Sequence, residues 1–260
     1  MGKAINYIDT HAHIYLEDFD KDRKDVLERA EKAGIDLIIL PAIDMSTFDA
    51  MWQCYQVNVN LQKMMIGLHP GSVKEDYKLE LNFIENQLQN NVNSFIGIGE
   101  IGMDLYWAKT YIVEQRIVLI QQLQWAIQYD LPVCIHQRNS LHEIISILDE
   151  FSNKPRGIFH CFTGTYEEAK IIIDRGFMLG IGGIITFKNN KLAQTISQIG
   201  LDYLVLETDA PYLTPVPYRG KRNESSFIPH IAKKIAEILK IDIKKVAFKT
   251  TMNAKNLFSL

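Results

Sequence analysis

The chain has 260 residues, 47% of them hydrophobic and 23% charged, a composition that excludes disorder and low-complexity sequence. Its formal net charge of -3 leaves no overall basic footprint, so any nucleic-acid partner has to be held by a local patch. No apolar run reaches the ~18 residues of a membrane span, and three widely spaced cysteines, Cys54, Cys134 and Cys161, read as reduced and buried. The expected location is cytoplasmic, with a strand signal that begins at Ile5 and leaves no room for a signal peptide.

Short apolar runs then recur along the chain, each followed by a helical pattern. The first strand is expected at Ile5–Asp9, before a helix over Lys21–Ala33 that stops at Gly34. Asp36–Ala42 leads to a helix at Thr47–Asn60, and Met64–His69 to one at Leu79–Gln89. Phe95–Glu100 precedes the long helix Tyr111–Tyr129, which is stopped by Pro132. The strands Pro132–His136 and Gly157–His160 are followed by the capping boxes Ser140-Leu141-His142-Glu143 and Thr165-Tyr166-Glu167-Glu168. Phe177–Gly182 precedes a helix at Lys191–Ile199, and Tyr203–Asp209 precedes helices at Ile228–Leu239 and Ile243–Thr250. These runs are rich in Ile, Val, Leu and Phe without clean alternation, as in strands buried on both faces of a parallel sheet. Eight such units in a chain of this length give an α/β fold, a (β/α)8 TIM barrel, as one domain over residues 1–260. An open doubly wound sheet is the alternative. One long loop, Ala210–Phe227, breaks the texture with Pro211, Pro215 and Pro217 beside Arg219, Lys221 and Arg222, and loops of this length are often functional.

The ligand-type residues gather where these strands end. Asp9, His11 and His13 follow the first strand, and His11 and His13 form an H-x-H pair, whose alternate residues point to one side of an extended chain. His69 ends the third strand, Glu100 the fourth, His136 the fifth, His160 the sixth and Asp209 the eighth. A barrel keeps its chemistry at that end. Four histidines, one Glu and one Asp are enough for two divalent ions, with the two oxygens of Glu100 able to bridge them. A Walker pattern is absent from the sequence, so P-loop nucleotide chemistry has no support.

Together these stretches resemble the TatD family of metal-dependent deoxyribonucleases, amidohydrolase-type barrels. The resemblance runs nearly end to end. It is carried by Asp9-Thr10-His11-Ala12-His13, Gly99-Glu100-Ile101-Gly102-Met103-Asp104, Pro132-Val133-Cys134-Ile135-His136, His160-Cys161-Phe162-Thr163-Gly164, Glu207-Thr208-Asp209-Ala210-Pro211-Tyr212-Leu213 and Arg219-Gly220-Lys221-Arg222-Asn223-Glu224. It implies a dinuclear centre of Mg2+, Mn2+ or Zn2+. His11, His13, Glu100 and Asp209 would hold one ion, and Glu100, His136 and His160 the other. The implied activity is hydrolysis of DNA phosphodiesters, as a 3′–5′ exonuclease on single strands, with catalytic roles for Glu100 as the bridge and Asp209 as the group that takes a proton from water. No membrane and no obligate protein partner are implied. Substrate contacts are expected from His69, Arg138, Tyr212, Arg219 and Arg222, and Tyr106, Trp107 and Tyr212 are read as base-stacking or rim-packing rings. Asp18, Asp20 and Asp22 read as a solvated helix start, and His142 and His230 carry no role.

The chain departs from the family pattern in three places. His69-Pro70-Gly71 stands where many relatives have a second histidine, Ser225 follows Glu224 in place of proline, and His136-Gln137-Arg138-Asn139 lacks an acidic residue after the arginine. The competing readings are an amidohydrolase-type hydrolase of a small ester, amide or phosphoester, and a metal-binding module without turnover, because fold and ligands do not choose the leaving group.

Overall fold

The strands of the fold, in a computed structural model that describes residues 5–188 and 191–260, stand side by side in chain order and run parallel. They are β1 (Tyr7–Asp9), β2 (Ile35–Leu40), β3 (Gln62–Ile66), β4 (Phe95–Asp104), β5 (Val133–Arg138), β6 (Gly157–Phe159), β7 (Phe177–Ile181) and β8 (Leu204–Leu206). Hydrogen bonds from Thr10 N to Leu206 O (3.0 Å), from Asp209 N to His11 O (2.9 Å) and from His13 N to Ala210 O (2.8 Å) join the two outermost strands just beyond their ends. The ring so formed is a (β/α)8 barrel. The helices α1 (Arg23–Lys32), α2 (Met45–Val57), α3 (Tyr77–Asn91), α4 (Ile112–Gln128), α5 (Leu141–Asp149), α6 (Tyr166–Ile173), α7 (Leu192–Ile199) and α8 (Ile228–Leu239) follow the strands in turn, and α9 (Ile243–Phe258) closes the chain. Among the described residues, no helix is long and apolar enough to cross a membrane.

Burial on both strand faces explains the missing alternation. In β2 only Asp36 is exposed. Ile38 and Leu40 face the helices in the larger apolar cluster, whereas Leu37 and Ile39 join Ile8, Met65, Cys134, Ile158 and Val205 inside the ring. Leu257 and Phe258 of α9 belong to this inner cluster. They arrive at the end of the barrel where strands begin: Asn253 Nδ2 donates to Leu201 O (2.9 Å) and Leu204 O (2.8 Å), and Arg156 Nε to Leu257 O (3.3 Å). That docking corrects the expected end of the last helix, which continues past Thr250 to Phe258. Its final turns have an apolar floor to cover.

Two further expectations are corrected. β4 runs on past Glu100 to Asp104, because β5 also continues and supplies ladder partners up to Asp104↔Arg138. Gly102 makes that extension possible: its φ is +144°, and a Cβ there would lie 2.0 Å from His136 O. The Ser140 capping box does not form. Ser140 Oγ donates instead to Met103 O (2.6 Å) and accepts from Arg138 N (3.2 Å), fastening the tops of β4 and β5. The Thr165–Glu168 box does form, and a second joins Asp44 and Thr47 at the start of α2.

Candidate metal centre

The centre is built at the end of the barrel where the strands finish. β4 positions its main carboxylate. The ladder to β5 passes from Gly99↔Cys134 to Ile101↔Ile135, so Glu100 is a bulged residue with no register partner on β5. Its backbone N donates instead to Ala42 O (3.0 Å) beyond β2. The Glu100 side chain is 3% exposed.

Each Glu100 oxygen faces its own set of groups. Oε2 lies 3.1 Å from His11 Nε2 and 3.5 Å from His13 Nε2. Those two nitrogens are 3.0 Å apart, and Asp209 Oδ1 lies 3.7 Å from each. Oε1 lies 2.8 Å from His136 Nδ1, 2.8 Å from His160 Nε2 and 3.3 Å from His69 Nε2. Donor atoms about 2.0–2.2 Å from one divalent ion stand roughly 3–3.7 Å from one another in a tetrahedral set. The first set has this spacing, and in the second Oε1 stands somewhat closer, at 2.8–3.3 Å, to its three nitrogens.

The hydrogen bonds behind the rings decide which nitrogens are bare. Tyr15 Oη donates to Pro41 O (2.7 Å), so at 2.9 Å it accepts from His13 Nδ1, and His13 Nε2 is left with a lone pair. Asp104 Oδ2 takes the Nε2–H of His136 (3.2 Å), leaving its Nδ1 bare towards Glu100. His160 Nδ1 has Glu207 Oε1 behind it at 3.6 Å. Bare nitrogens and a carboxylate oxygen at 2.8–3.5 Å repel each other unless a cation or proton lies between them. The donor chemistry therefore fits two cations, one on each side of Glu100.

His69 is different. Gly71 N donates to its Nδ1 (3.0 Å), which puts the ring proton on Nε2. His69 belongs to a cluster with Glu100 and His136 close enough to hold an ion. In this tautomer, however, it is a donor aimed at the centre.

The ionisation states follow from the same arrangement. Burial opposes charge on Glu100, but the fields of His160, His69 and His11 hold its carboxyl well below the usual range. Burial disfavours the charged form of His160, yet Glu100 and Glu207 raise it well above the ordinary imidazole value. Burial keeps His11 and His69 low. Burial also lifts Asp209 to about 6, against the opposing pull of His160 and His13. Asp209 has a left-handed backbone (φ +57°), as does Cys161 next to His160 (φ +49°), a conformation that is uncommon outside glycine and that gathers at functional sites.

The structure brings His11, His13, His69, Glu100, His136, His160 and Asp209 together. Tyr212, Arg138 and Arg219 are exposed. Arg138 lies over the rings of Tyr106 and Trp107, and Arg219 over Phe187 at 3.7 Å. Arg222, expected to touch substrate, is instead held by Asp22 at 2.8 and 2.7 Å and by Asp18 O at 2.6 Å. The helix start read as solvated is thus ion-paired at Asp22, which Arg222 and Arg29 pull down to about 2. Cys54 and Cys134 are buried, Cys161 is half-buried, and all three are free.

Three supporting residues, Glu207, Asp104 and Asn223, were given no role from the sequence, and a fourth, Asp9, was read only as a ligand-type residue after the first strand. Glu207 is wholly buried, and its Oε1 accepts from Cys161 N (2.6 Å) while Oε2 has no partner. Asp104 orients His136. Asp9 accepts from Thr208 N (2.9 Å) and Thr208 Oγ1 (2.6 Å), fixing the H-x-H segment against the end of β8. Asn223 Nδ2 donates to Thr208 O (2.8 Å) and Tyr212 O (2.6 Å), clamping the loop that carries Asp209. All four lie inside or beside the quoted motifs. Their roles depend on which ring or carbonyl the fold sets opposite them, and spacing does not encode that.

Comparison with known proteins gives concordant results. Residues 8–259 match the family model described as TatD related DNase. The chain is 35% identical to the uncharacterized metal-dependent hydrolase YabD of Bacillus subtilis over 97% of this chain and 98% of the relative. It superposes on the crystal structure of YjjV, a TatD homologue from Escherichia coli K12, with a TM-score of 0.91, 28% identity and coverage of 98% and 99%. A TatD family hydrolase from Entamoeba histolytica, 24% identical with a TM-score of 0.85 over 98% and 99%, shares the fold.

Proposed function

The chain belongs to the TatD related DNase family and is a metal-dependent hydrolase, and from that premise we propose that it is a two-metal deoxyribonuclease that removes nucleotides from the 3′ end of single-stranded DNA. The observation that carries the two-ion reading is the division of Glu100, with one oxygen towards His11 and His13 and the other towards His136 and His160.

In this reading His11, His13, Glu100 and Asp209 would hold one ion, and Glu100, His136 and His160 the other. When bound, the ions supply positive charge for the phosphoryl oxygens and lower the pKa of water. Asp209 accepts the proton of the attacking water, its Oδ1 lying 3.7 Å from both His11 Nε2 and His13 Nε2 beside the place for the first ion. His69 presents its Nε2–H to a phosphoryl oxygen. Arg138 and Arg219 offer guanidinium groups to neighbouring phosphates. The net charge of -3 disfavours tight coating of long duplex and suits a strand end entering at the mouth.

The test is metal-free protein incubated with 5′-labelled single-stranded DNA and Mg2+, Mn2+ or Zn2+, beside Glu100→Ala and Asp209→Asn. A metal-dependent ladder that shortens from the 3′ end, lost in Glu100→Ala and reduced at least ~100-fold in Asp209→Asn, is the expected result. Absence of cleavage with every metal, with two ions still bound per chain, would transfer the assignment to a small ester, amide or phosphoester.

A further inference from the structure

Beside the metal centre, the loop after β4 holds two aromatic rings in solvent. Trp107 is 71% exposed and Tyr106 46%. The rings meet edge to face at 4.6 Å between centroids. The Arg138 guanidinium lies 4.9 Å from the centre of the tyrosine ring and 5.4 Å from that of the tryptophan. Among the described residues, it has no hydrogen-bond or ion-pair partner. A tryptophan left in water forgoes one of the largest burial gains available to any side chain, so packing does not account for this placement.

The loop is nevertheless held firmly. Asp104 Oδ1 accepts from both Tyr106 N (2.9 Å) and Trp107 N (2.7 Å), while its Oδ2 accepts from His136 Nε2 (3.2 Å). Asp104 and Arg138 are ladder partners at the ends of β4 and β5. One carboxylate therefore ties the aromatic loop to an imidazole of the metal centre, and the neighbouring strand end carries the arginine.

We propose that Trp107, Tyr106 and Arg138 form a nucleobase-stacking subsite, which takes an unpaired base of the strand whose phosphodiester lies at the metal centre. The assignment rests on the nuclease reading above and adds a base-recognition element to it. Aromatic and guanidinium planes stack on any base, so the subsite is indifferent to sequence. It discriminates against duplex, whose bases are already stacked and paired. Its positive charge, without a carboxylate partner among the described residues, complements the phosphate that accompanies each base. The tie through Asp104 sets the base at a fixed distance from Glu100, which turns stacking into positioning of the bond to be cut.

The experiment measures binding by the Mn2+-loaded protein of two fluorescein-labelled octamers with phosphorothioate linkages, one of thymidylate and one of abasic tetrahydrofuran units, by fluorescence anisotropy. Cleavage of unmodified octathymidylate is followed in parallel. Wild type is expected to prefer the base-bearing octamer. Trp107→Ala is expected to raise its Kd about tenfold, to leave the abasic Kd unchanged and to raise KM for cleavage more than it lowers kcat. Trp107→Phe should retain most of the preference. Equal metal content and thermal melting in the variants exclude a folding defect. Unchanged discrimination in Trp107→Ala, with the wild type still cleaving DNA, overturns the subsite and leaves the nuclease reading intact. A wild type that neither binds nor cleaves either octamer overturns both. A variant that loses only self-association in sedimentation shows that the rings face a second copy of the chain, which also overturns the subsite.

Discussion

Every imidazole of the centre is oriented by what lies on its far side. Tyr15 stands behind His13, Asp104 behind His136, Glu207 behind His160 and the Cys134 thiol behind His11, at 3.2 Å. Hydrogen-bonded partners of this kind fix the tautomer, whereas Glu207, at 3.6 Å too far for a hydrogen bond, acts on His160 through its field. Glu207 does this from a fully buried position. Gly180 leaves room for it, since a Cβ there would lie 2.1 Å from Oε2. Glu207→Gln keeps the shape and the acceptor for Cys161 N but removes the charge behind His160. It is expected to weaken metal binding at the proposed Glu100–His136–His160 position about 10- to 100-fold, read by calorimetric titration with Mn2+, with the melting profile of the metal-free protein little changed. The residue types proposed to face the metal were legible from the sequence because each closes or directly follows an apolar run. The tautomers were not, because they depend on groups distant in the chain, such as Pro41, whose carbonyl turns the Tyr15 hydroxyl 26 residues away, and Asp104, 32 residues from His136.

Elements bring these residues to one place by small departures from regularity. The bulge at Glu100 turns a carboxylate out of the β4–β5 ladder and into the centre. A second device is the strap from Arg219 to Glu224, which sequence reading treated as part of the substrate face. Glu224 accepts from Arg29 Nη2 (2.6 Å) and Nε (2.9 Å), and Arg222 grips Asp22, so the strap is bolted to α1. Asn223 then holds the Asp209 loop through two carbonyls. Asn223→Ala leaves both buried carbonyls short of a donor, at about 1–3 kcal/mol each. Chemical denaturation is expected to show a loss of ~2 kcal/mol or more, and activity should fall further than stability because Asp209 loses its support. The strap also carries a pH dependence. Burial opposes charge on Glu224, but the Arg29 hydrogen bonds hold its carboxyl below the usual value. Its contribution is therefore complete above the unfolded carboxyl value of about 4.3 and disappears as pH falls through the lower folded value. Glu224→Gln should flatten the acid side of the stability curve.

At the scale of the whole molecule the two ends of the barrel do different work. The end where strands finish carries the centre, and the end where they begin is sealed by the last turns of α9. Phe258 and Leu257 complete the inner cluster with Ile8, Leu37 and Val205. Phe258→Ala is expected to cost about 3–5 kcal/mol and to lower the melting temperature by roughly 10 °C, while kcat of the surviving folded protein stays near wild type. A matching loss of kcat at a temperature well below melting would refute this separation. By itself, the sequence determined the parallel barrel, because strands buried on both faces must be apolar throughout and must alternate with amphipathic helices. It also pointed to the residues proposed as ligands, because polar groups at the ends of such apolar runs have few other uses. The tertiary structure alone decided the pairing of Arg222 with Asp22, the rear partners of the histidines, the length of α9 and the exposed rings at the rim. Each of these depends on contacts between segments distant in the chain, and neither periodicity nor spacing records which segment will stand opposite which.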